Sequence, residues 1–432
     1  MLQVQGLSKQ QLKEIAVDSG FLIRRSRKIS PDDLLALICL ESQNGSPSYN
    51  DLVARFDTMC NVTISKQGFC KRINPACVRF FQAILAHLIT TKITHQQTHA
   101  ITACDKYQRV IIQDSTIIKL PQRLFTVFSG VSNMHASVCN ARIQGVYELL
   151  SGRFLQFSID PYSKNDFIAA PALKLRRDDL VLRDRGYFTS GEIKRHLDTG
   201  ADCIYRHKQK MAYLDPVDAR PIQLMVLLER HGNLDMVVCL NNPERTRVRL
   251  LAAPVSQQLA NDRRRKAKKE MKGHNPPKEL LKLMGWTIFI TTIPRSEADF
   301  DRIMKIYSFR WQIEIIFKTW KSHLNFAKVH NVSAMQLSVL LTARLIMIVV
   351  VTHGLFAPIC MKISRIYNRN ISMMKFMHYI RQNPEKIPAL LDNIQMNSNQ
   401  RDKDFELVIK YCAYDKRQRP NLKLLATKIL LG

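Results

Sequence analysis

The sequence predicts an α/β protein whose core lies between two helical regions, and three observations predict it. Up to about residue 100 the apolar residues recur at helical spacing. From Gln108 they fall into short β-rich runs separated by turn residues, and helical spacing returns near 293. Hydrophobic residues make up 46% of the 432-residue chain, enough for a sizeable core spread over two or three domains.

Residues 1–100 read as helical, with "SPDDLLALICLES" opening on Ser30, Pro31 and two acids. The stretch after Tyr49 reads as helix, turn and second helix. That second helix opens at Ser65 with Lys66, Gln67, Lys71 and Arg72 and resembles a DNA-binding helix-turn-helix, although many small helical domains share the pattern. Residues 101–210 carry "QRVIIQDSTIIKLP", "ARIQGVYELLSG", "RFLQFSIDP" and "DDLVLRDRGYF" as strands, then the helix "SGEIKRHLDTG" and the strand "ADCIYRHK". Residues 211–292 read as a β-rich insertion: "PIQLMVLLER", "DMVVCL", "RVRLLAAPV" and "GWTIFITTIP", interrupted by "NDRRRKAKKEMKGHNPPK". That cationic run is either a solvated segment or a phosphate-contacting arm. Residues 293–350 hold an aromatic, cationic helix and a very apolar one, and 351–432 a helical tail.

Lys and Arg exceed Asp and Glu by 29, and the pI is near 9.9. Such an excess points to a polyanion, most simply nucleic acid; a merely basic protein is the alternative. The ten cysteines form no C-x-x-C pair and read as reduced core residues of a cytosolic protein. No signal peptide is visible at the start. The run "LSVLLTARLIMIVVV" contains Arg344 and reads as a buried helix, so no membrane partner is expected. Phosphate-loop, dinucleotide and H-E-x-x-H motifs are absent.

Three acids stand in unusual places. Asp114 interrupts the apolar strand "VIIQDSTII", and Asp184 closes the strand "LVLRD". Glu314 lies in "YSFRWQIEIIFKTWK", where, for one continuous helix, Tyr307, Arg310, Glu314, Lys318 and Lys321 fall within an arc of about 80°. Each acid alone reads as a cap, a strand end or an i,i+4 partner of Lys318. Together they form a set that needs a neutralising charge. Two unit charges 4 Å apart repel by about 4 kcal/mol at an effective dielectric near 20, and hard divalent cations are natural partners for carboxylate oxygens.

The spacing Y-x2-R-x3-E-x6-K, with "QDST", "LRDRGYF" and "GWTIFITTIP" in the same order, resembles the DDE transposases of bacterial insertion sequences. The resemblance runs from about Asp114 to Lys321. It implies an RNase H-like catalytic core with a β-rich insertion, between helical N- and C-terminal regions. It also implies Asp114, Asp184 and Glu314 as the catalytic, metal-binding triad, holding two Mg²⁺ or Mn²⁺ ions. Tyr307, Arg310, Lys318, Lys321 and Arg206 would hold the phosphates of the transposon end, the tyrosine bonding a phosphate or packing against the backbone. Trp286 would stack on a flipped base in members that cut through a hairpin. The implied activity is cut-and-paste strand cleavage and transfer at terminal inverted repeats of double-stranded DNA, and then into target DNA, by a dimer in the bacterial cytoplasm, near the nucleoid. The alternatives are an inactive terminal-repeat-binding relative or repressor, and a stand-alone nuclease of the same fold.

Overall fold

Serines open the helical N-terminal region. In the computed structural model, which describes residues 7–23, 28–90, 104–130, 138–270, 275–323, 325–330, 332–395 and 402–413, it comprises α1 (Lys9–Asp18), α2 (Pro31–Glu41), α3 (Tyr49–Cys60), α4 (Lys66–Cys70) and α5 (Pro75–Thr90). Ser8, Ser30, Ser48 and Ser65 each accept from a backbone N–H of the first turn that follows, about 1 kcal/mol of helix stability apiece. The helix opening at Ser65 forms as expected and runs for five residues. The stretches 91–100 and 414–432, expected to be helical, lie outside the described residues.

The strands and remaining helices follow in chain order: β1 (Arg109–Lys119), β2 (Asn140–Glu148), β3 (Arg153–Pro161), α6 (Asp166–Ala169), β4 (Asp179–Arg183), α7 (Ser190–Thr199) and β5 (Asp202–Arg206). Next come β6 (Tyr213–Leu214), β7 (Pro221–Ile222), α8 (Leu224–His231), β8 (Leu234–Leu240), β9 (Arg247–Pro254), α9 (Gln257–Glu270), α10 (Lys278–Leu283) and β10 (Trp286–Thr291). The chain continues through α11 (Phe300–Ser308), α12 (Trp311–His323), α13 (Ala334–Val351), α14 (Ala357–Tyr367), α15 (Met373–Gln382), α16 (Ile387–Gln395) and α17 (Lys403–Cys412).

Two segments depart from the sequence reading. "PIQLMVLLER" is strand only at Pro221–Ile222 and then turns helical as α8; its apolar residues suit either period, and so short a run as Leu224–Leu228 does not decide between them. The cationic run, which interrupts the strands expected there, is helical up to Glu270, as α9. Its Ala, Arg, Lys and Glu are strong helix formers.

The described residues fall into two compact units, each discontinuous in sequence. One draws on 1–99, 115–171 and 312–421; the other on 100–114, 172–311 and 422–432.

In the first unit the second half of β1 joins β2 and β3, in the order β3-β2-β1. α13 is buried along most of its length and packs against α5 and α2, which is where "LSVLLTARLIMIVVV" hides its apolar surface. By length and composition alone the helical stretch from α13 to α14 is long enough to cross a membrane, but two-thirds of its most apolar window is buried within the fold. α14 to α17 enclose a separate cluster around Phe376, Leu390, Phe405 and Val408. Trp320 of α12, fully buried, lies among Phe154, Phe157, Phe317 and Phe326, with ring centroids 5.0 to 5.9 Å away. Gly145 in β2 makes that possible: a Cβ there would come within 3.1 Å of Phe154 and 3.2 Å of Phe317.

In the second unit the strand order is β1-β4-β5-β10-β9-β8-β6-β7. β1, β4 and β5 are mutually parallel, and the pairs from β5 to β10 outward are antiparallel. The helix α7 connects the parallel pair β4 and β5, as a crossover must, and ends on Gly200 with φ +70°.

Candidate active site and nucleic-acid contacts

Backbone register brings two of the three acids together. β1 and β4 run parallel with Gln113 opposite Arg183, so the next residue on each strand, Asp114 and Asp184, occupies neighbouring positions. Adjacent strands lie about 4.8 Å apart. Both carboxylates are half-buried.

What surrounds Asp184 explains its fixed place. Arg183, just before it, is buried and pairs with Glu192 of α7 at 2.7 Å. Glu192 also takes Arg195 at 2.5 Å, and these two arginines hold its carboxyl below the usual range despite its burial. The Arg183 carbonyl accepts from the Tyr307 hydroxyl at 3.2 Å. Tyr307, expected at the DNA phosphates, is only 4% exposed, and burial pushes its hydroxyl up to about 12. Its ring lies 5.1 Å from Phe289, with the guanidinium groups of Arg206 and Arg310 at 5.9 and 5.7 Å.

Arg310 donates to Asp114 at 3.3 Å and is largely buried. Arg206, the last residue of β5, is exposed. Trp286, the first residue of β10, is half-buried opposite Pro254. Its carbonyl accepts from Arg263 of α9 at 2.9 Å, and Arg263 reaches Thr287 at 3.1 Å. Arg264 likewise donates to the Leu281 carbonyl. Two arginines of the cationic run therefore bind main-chain carbonyls of β10 and α10, while Arg265, Lys266, Lys268 and Lys269 face solvent.

The stretch Tyr307–Lys321 is not one helix. α11 ends at Ser308 and α12 begins at Trp311, joined by i→i+3 bonds from Phe309 to Ile306 and from Arg310 to Tyr307. The tighter turn changes the angle per residue, so the five-residue ridge expected for a continuous helix is interrupted at Arg310. Glu314 lies half-buried in the first turn of α12, where the helix dipole favours a carboxylate. Lys318, one turn on, is exposed. Lys321 is half-buried; its ammonium donates to the Ile117 carbonyl at 2.8 Å, and burial lowers its pKa.

Among the described residues no three His, Cys, Asp or Glu side chains gather closely enough to hold an ion. The Asp114–Asp184 pair nonetheless offers the all-oxygen donor set that hard divalent cations take. Sequence reasoning missed the buried Arg183–Glu192 pair, Arg263, and Trp311, which is 52% exposed with the Arg310 guanidinium 5.8 Å from its ring. An acid following an apolar strand was a visible signal; the arginine beneath it had none.

A family model described as a transposase DDE domain matches residues 106–350, more than half of the chain, and the protein belongs to that family. It is an insertion-sequence transposase, a polynucleotidyl transferase, similar to the transposase of insertion sequence element IS231B of Bacillus thuringiensis subsp. berliner. The two are 29% identical over 370 residues, covering 80% of this chain and 77% of the relative. The transposase of IS1151 from Clostridium perfringens is 25% identical, over 78% and 76% of the two chains. Among solved structures, a piggyBac transposase synaptic complex with hairpin DNA aligns with a TM-score of 0.45 at 9% identity, covering 97% of this chain and 86% of that one.

Proposed function

We propose that the protein cuts the ends of its insertion sequence out of double-stranded DNA and joins them to a target. On this reading residues 101–210 and 293–350 supply an RNase H-like core, and residues 211–292 are its β-rich insertion. The observation that carries the reading is the parallel register that pairs Gln113 with Arg183, so that Asp114 and Asp184 are the residues that follow on neighbouring segments.

Asp114 and Asp184, with Glu314 as third ligand, would hold one or two Mg²⁺ or Mn²⁺ ions. Bound there, such ions would lower the pKa of a water and stabilise the leaving 3′ oxygen. The chain's own contribution is positioning. Arg310 neutralises Asp114 while no phosphate is present and can pass its guanidinium to the DNA backbone, a bidentate partner for it. Arg206 and Lys318 are exposed and ready to bind phosphate; Lys321 joins them once released from Ile117. Tyr307 supports the end of β4 and does not touch DNA. Trp286 stacks on a base turned out of the duplex, in a hairpin-forming second step. The protein acts as a dimer on paired transposon ends in the bacterial cytoplasm.

The test is cleavage of end DNA in Mg²⁺ or Mn²⁺. Asp114→Ala, Asp184→Ala and Glu314→Ala should each lose nicking and strand transfer and still bind the ends. Substantial cleavage by any one of them removes that residue from the triad, and nicking without joining by the unaltered protein identifies a nuclease.

A further inference from the structure

The one charge inside the apolar helix α13 has a destination. Arg344 is 1% exposed and sits among carbonyls. Its Nε donates to Ser42 O at 2.9 Å, Nη1 to Phe326 O at 2.9 Å, and Nη2 to Gly45 O at 2.5 Å and Lys328 O at 2.8 Å. One guanidinium thus joins two segments about two-thirds of the chain apart: the turn after α2 and the loop after α12. Two further side chains make the same kind of contact with that turn. Asn325 donates to Gln43 O at 2.8 Å, and Gln336 to Pro47 O at 3.0 Å.

The turn is shaped for this. Gly45 has φ +116° and ψ −138°, a region open essentially to glycine alone, and its carbonyl faces Arg344. On the other side, Phe326 is fully buried and its ring meets Trp320, the aromatic anchor of α12. Burial lowers the Arg344 pKa to about 10, a shift toward lysine-like values that leaves it charged at neutral pH. Its planar fork can reach four carbonyls at once, which the compact lysine ammonium cannot.

We infer that Arg344 is a positioning residue that locks turn 42–47 of the N-terminal helical region to the segment following α12, so that those helices and the helix bearing Glu314 move as one body. The N-terminal region is then no tethered reading head: DNA held by it is presented to α12 in fixed register. The consequence for cleavage rests on the reading of Glu314 given above; the mechanical coupling does not.

The experiment uses the full chain with Arg344→Lys, Arg344→Met and the double variant Asn325→Ala/Gln336→Ala. Hydrogen exchange is followed at 42–47 and 326–330, beside end-DNA affinity and single-turnover cleavage in Mg²⁺. In Arg344→Lys, exchange should rise in both segments together. Cleavage per bound complex should fall roughly 10- to 100-fold, the scale for loss of an orienting partner, with affinity little changed. A merely structural residue would instead lower binding and cleavage in proportion to the folded fraction. If either Arg344 variant fails to fold, the double variant decides by the same readouts. Exchange rising in one segment alone, or wild-type cleavage in a folded variant, overturns the inference. Glu314→Gln separates the two readings: full cleavage there refutes the role of Glu314 and leaves the linked exchange to stand or fall by itself.

Discussion

The strands bearing Asp114 and Asp184 and the helix bearing Glu314 hold their acids by different physics. In the second unit, main-chain hydrogen bonds along β1 and β4 fix which residue lies beside which; the side chains of those strands could vary widely without moving either aspartate. In the first unit, α12 has no such ruler. Its place follows from Trp320 in a nest of four phenylalanines, from Gly145 leaving room for Phe317, and from Arg344 gripping the loop beyond. Register is a discrete quantity and packing a continuous one. The helix is therefore the element more open to displacement by a distant substitution.

The largest effect that tests this contrast is on chemistry. Asp184→Asn and Glu314→Gln should both abolish cleavage, read by end-nicking gels, while urea midpoints stay near that of the unaltered protein, because neither half-buried side chain anchors its element. A large loss of stability in either would make it a packing residue.

Next in size is stability. Trp320→Ala should cost about 3–5 kcal/mol, the usual range for a buried aromatic, measured by urea unfolding. Trp286→Ala should cost far less and slow the hairpin step, with first-strand nicking spared. Equal destabilisation by the two would place Trp286 in the core and end its stacking role.

Acid should distinguish the units by degree. Burial, aided by nearby Arg183, lowers His196 of α7 to about 4. Burial, aided by Arg153, lowers His353 to about 3; this histidine, on the π-helical turn Thr352–Phe356, accepts from Phe154 N–H at 2.9 Å. Both folded values lie below the ordinary 6.5, so the unfolded chain binds the extra protons. Stability from each is full above about pH 6.5 and falls below it by about 1.4 kcal/mol per pH unit. The loss ends near pH 4 for His196 and near pH 3 for His353. His353→Gln should flatten the stability curve down to the lower limit and His196→Gln only to the higher one; an unaltered slope in either variant would mean that its histidine titrates normally.

The smallest effect is electrostatic. Arg310→Glu should make the salt dependence of end binding shallower, by about 0.9 in log–log slope for each phosphate no longer neutralised. Arg264→Glu should leave that slope alone and instead loosen α9 from α10, since its guanidinium is bonded to Leu281 O. A changed slope in Arg264→Glu would return that arginine to the DNA face.

The sequence by itself determined most of the strands, the unusual positions of the acids and the class of chemistry. Alternation, turn residues and apolar runs are local signals, and an aspartate inside "VIIQDSTII" is conspicuous because burial of a lone charge is costly. The one-turn spacing of Glu314 and Lys318 on α12 was legible too, from local periodicity. The break at Phe309–Arg310 was not, since Tyr-Ser-Phe-Arg-Trp suits a helix throughout and only the tertiary packing tightens the turn. Tyr307 reads equally as a phosphate ligand or a core ring until Arg183 O is seen above its hydroxyl. The split of the cationic run into inward Arg263 and Arg264 and outward Arg265 and Lys266 depends on what α9 rests against. Arg344 is the clearest case. In sequence it is a blemish in an apolar helix; its meaning comes from carbonyls at Ser42 and Gly45, some three hundred residues away. Local periodicity encodes elements, whereas the partners of a buried polar group are set by chain segments that meet only in the folded state.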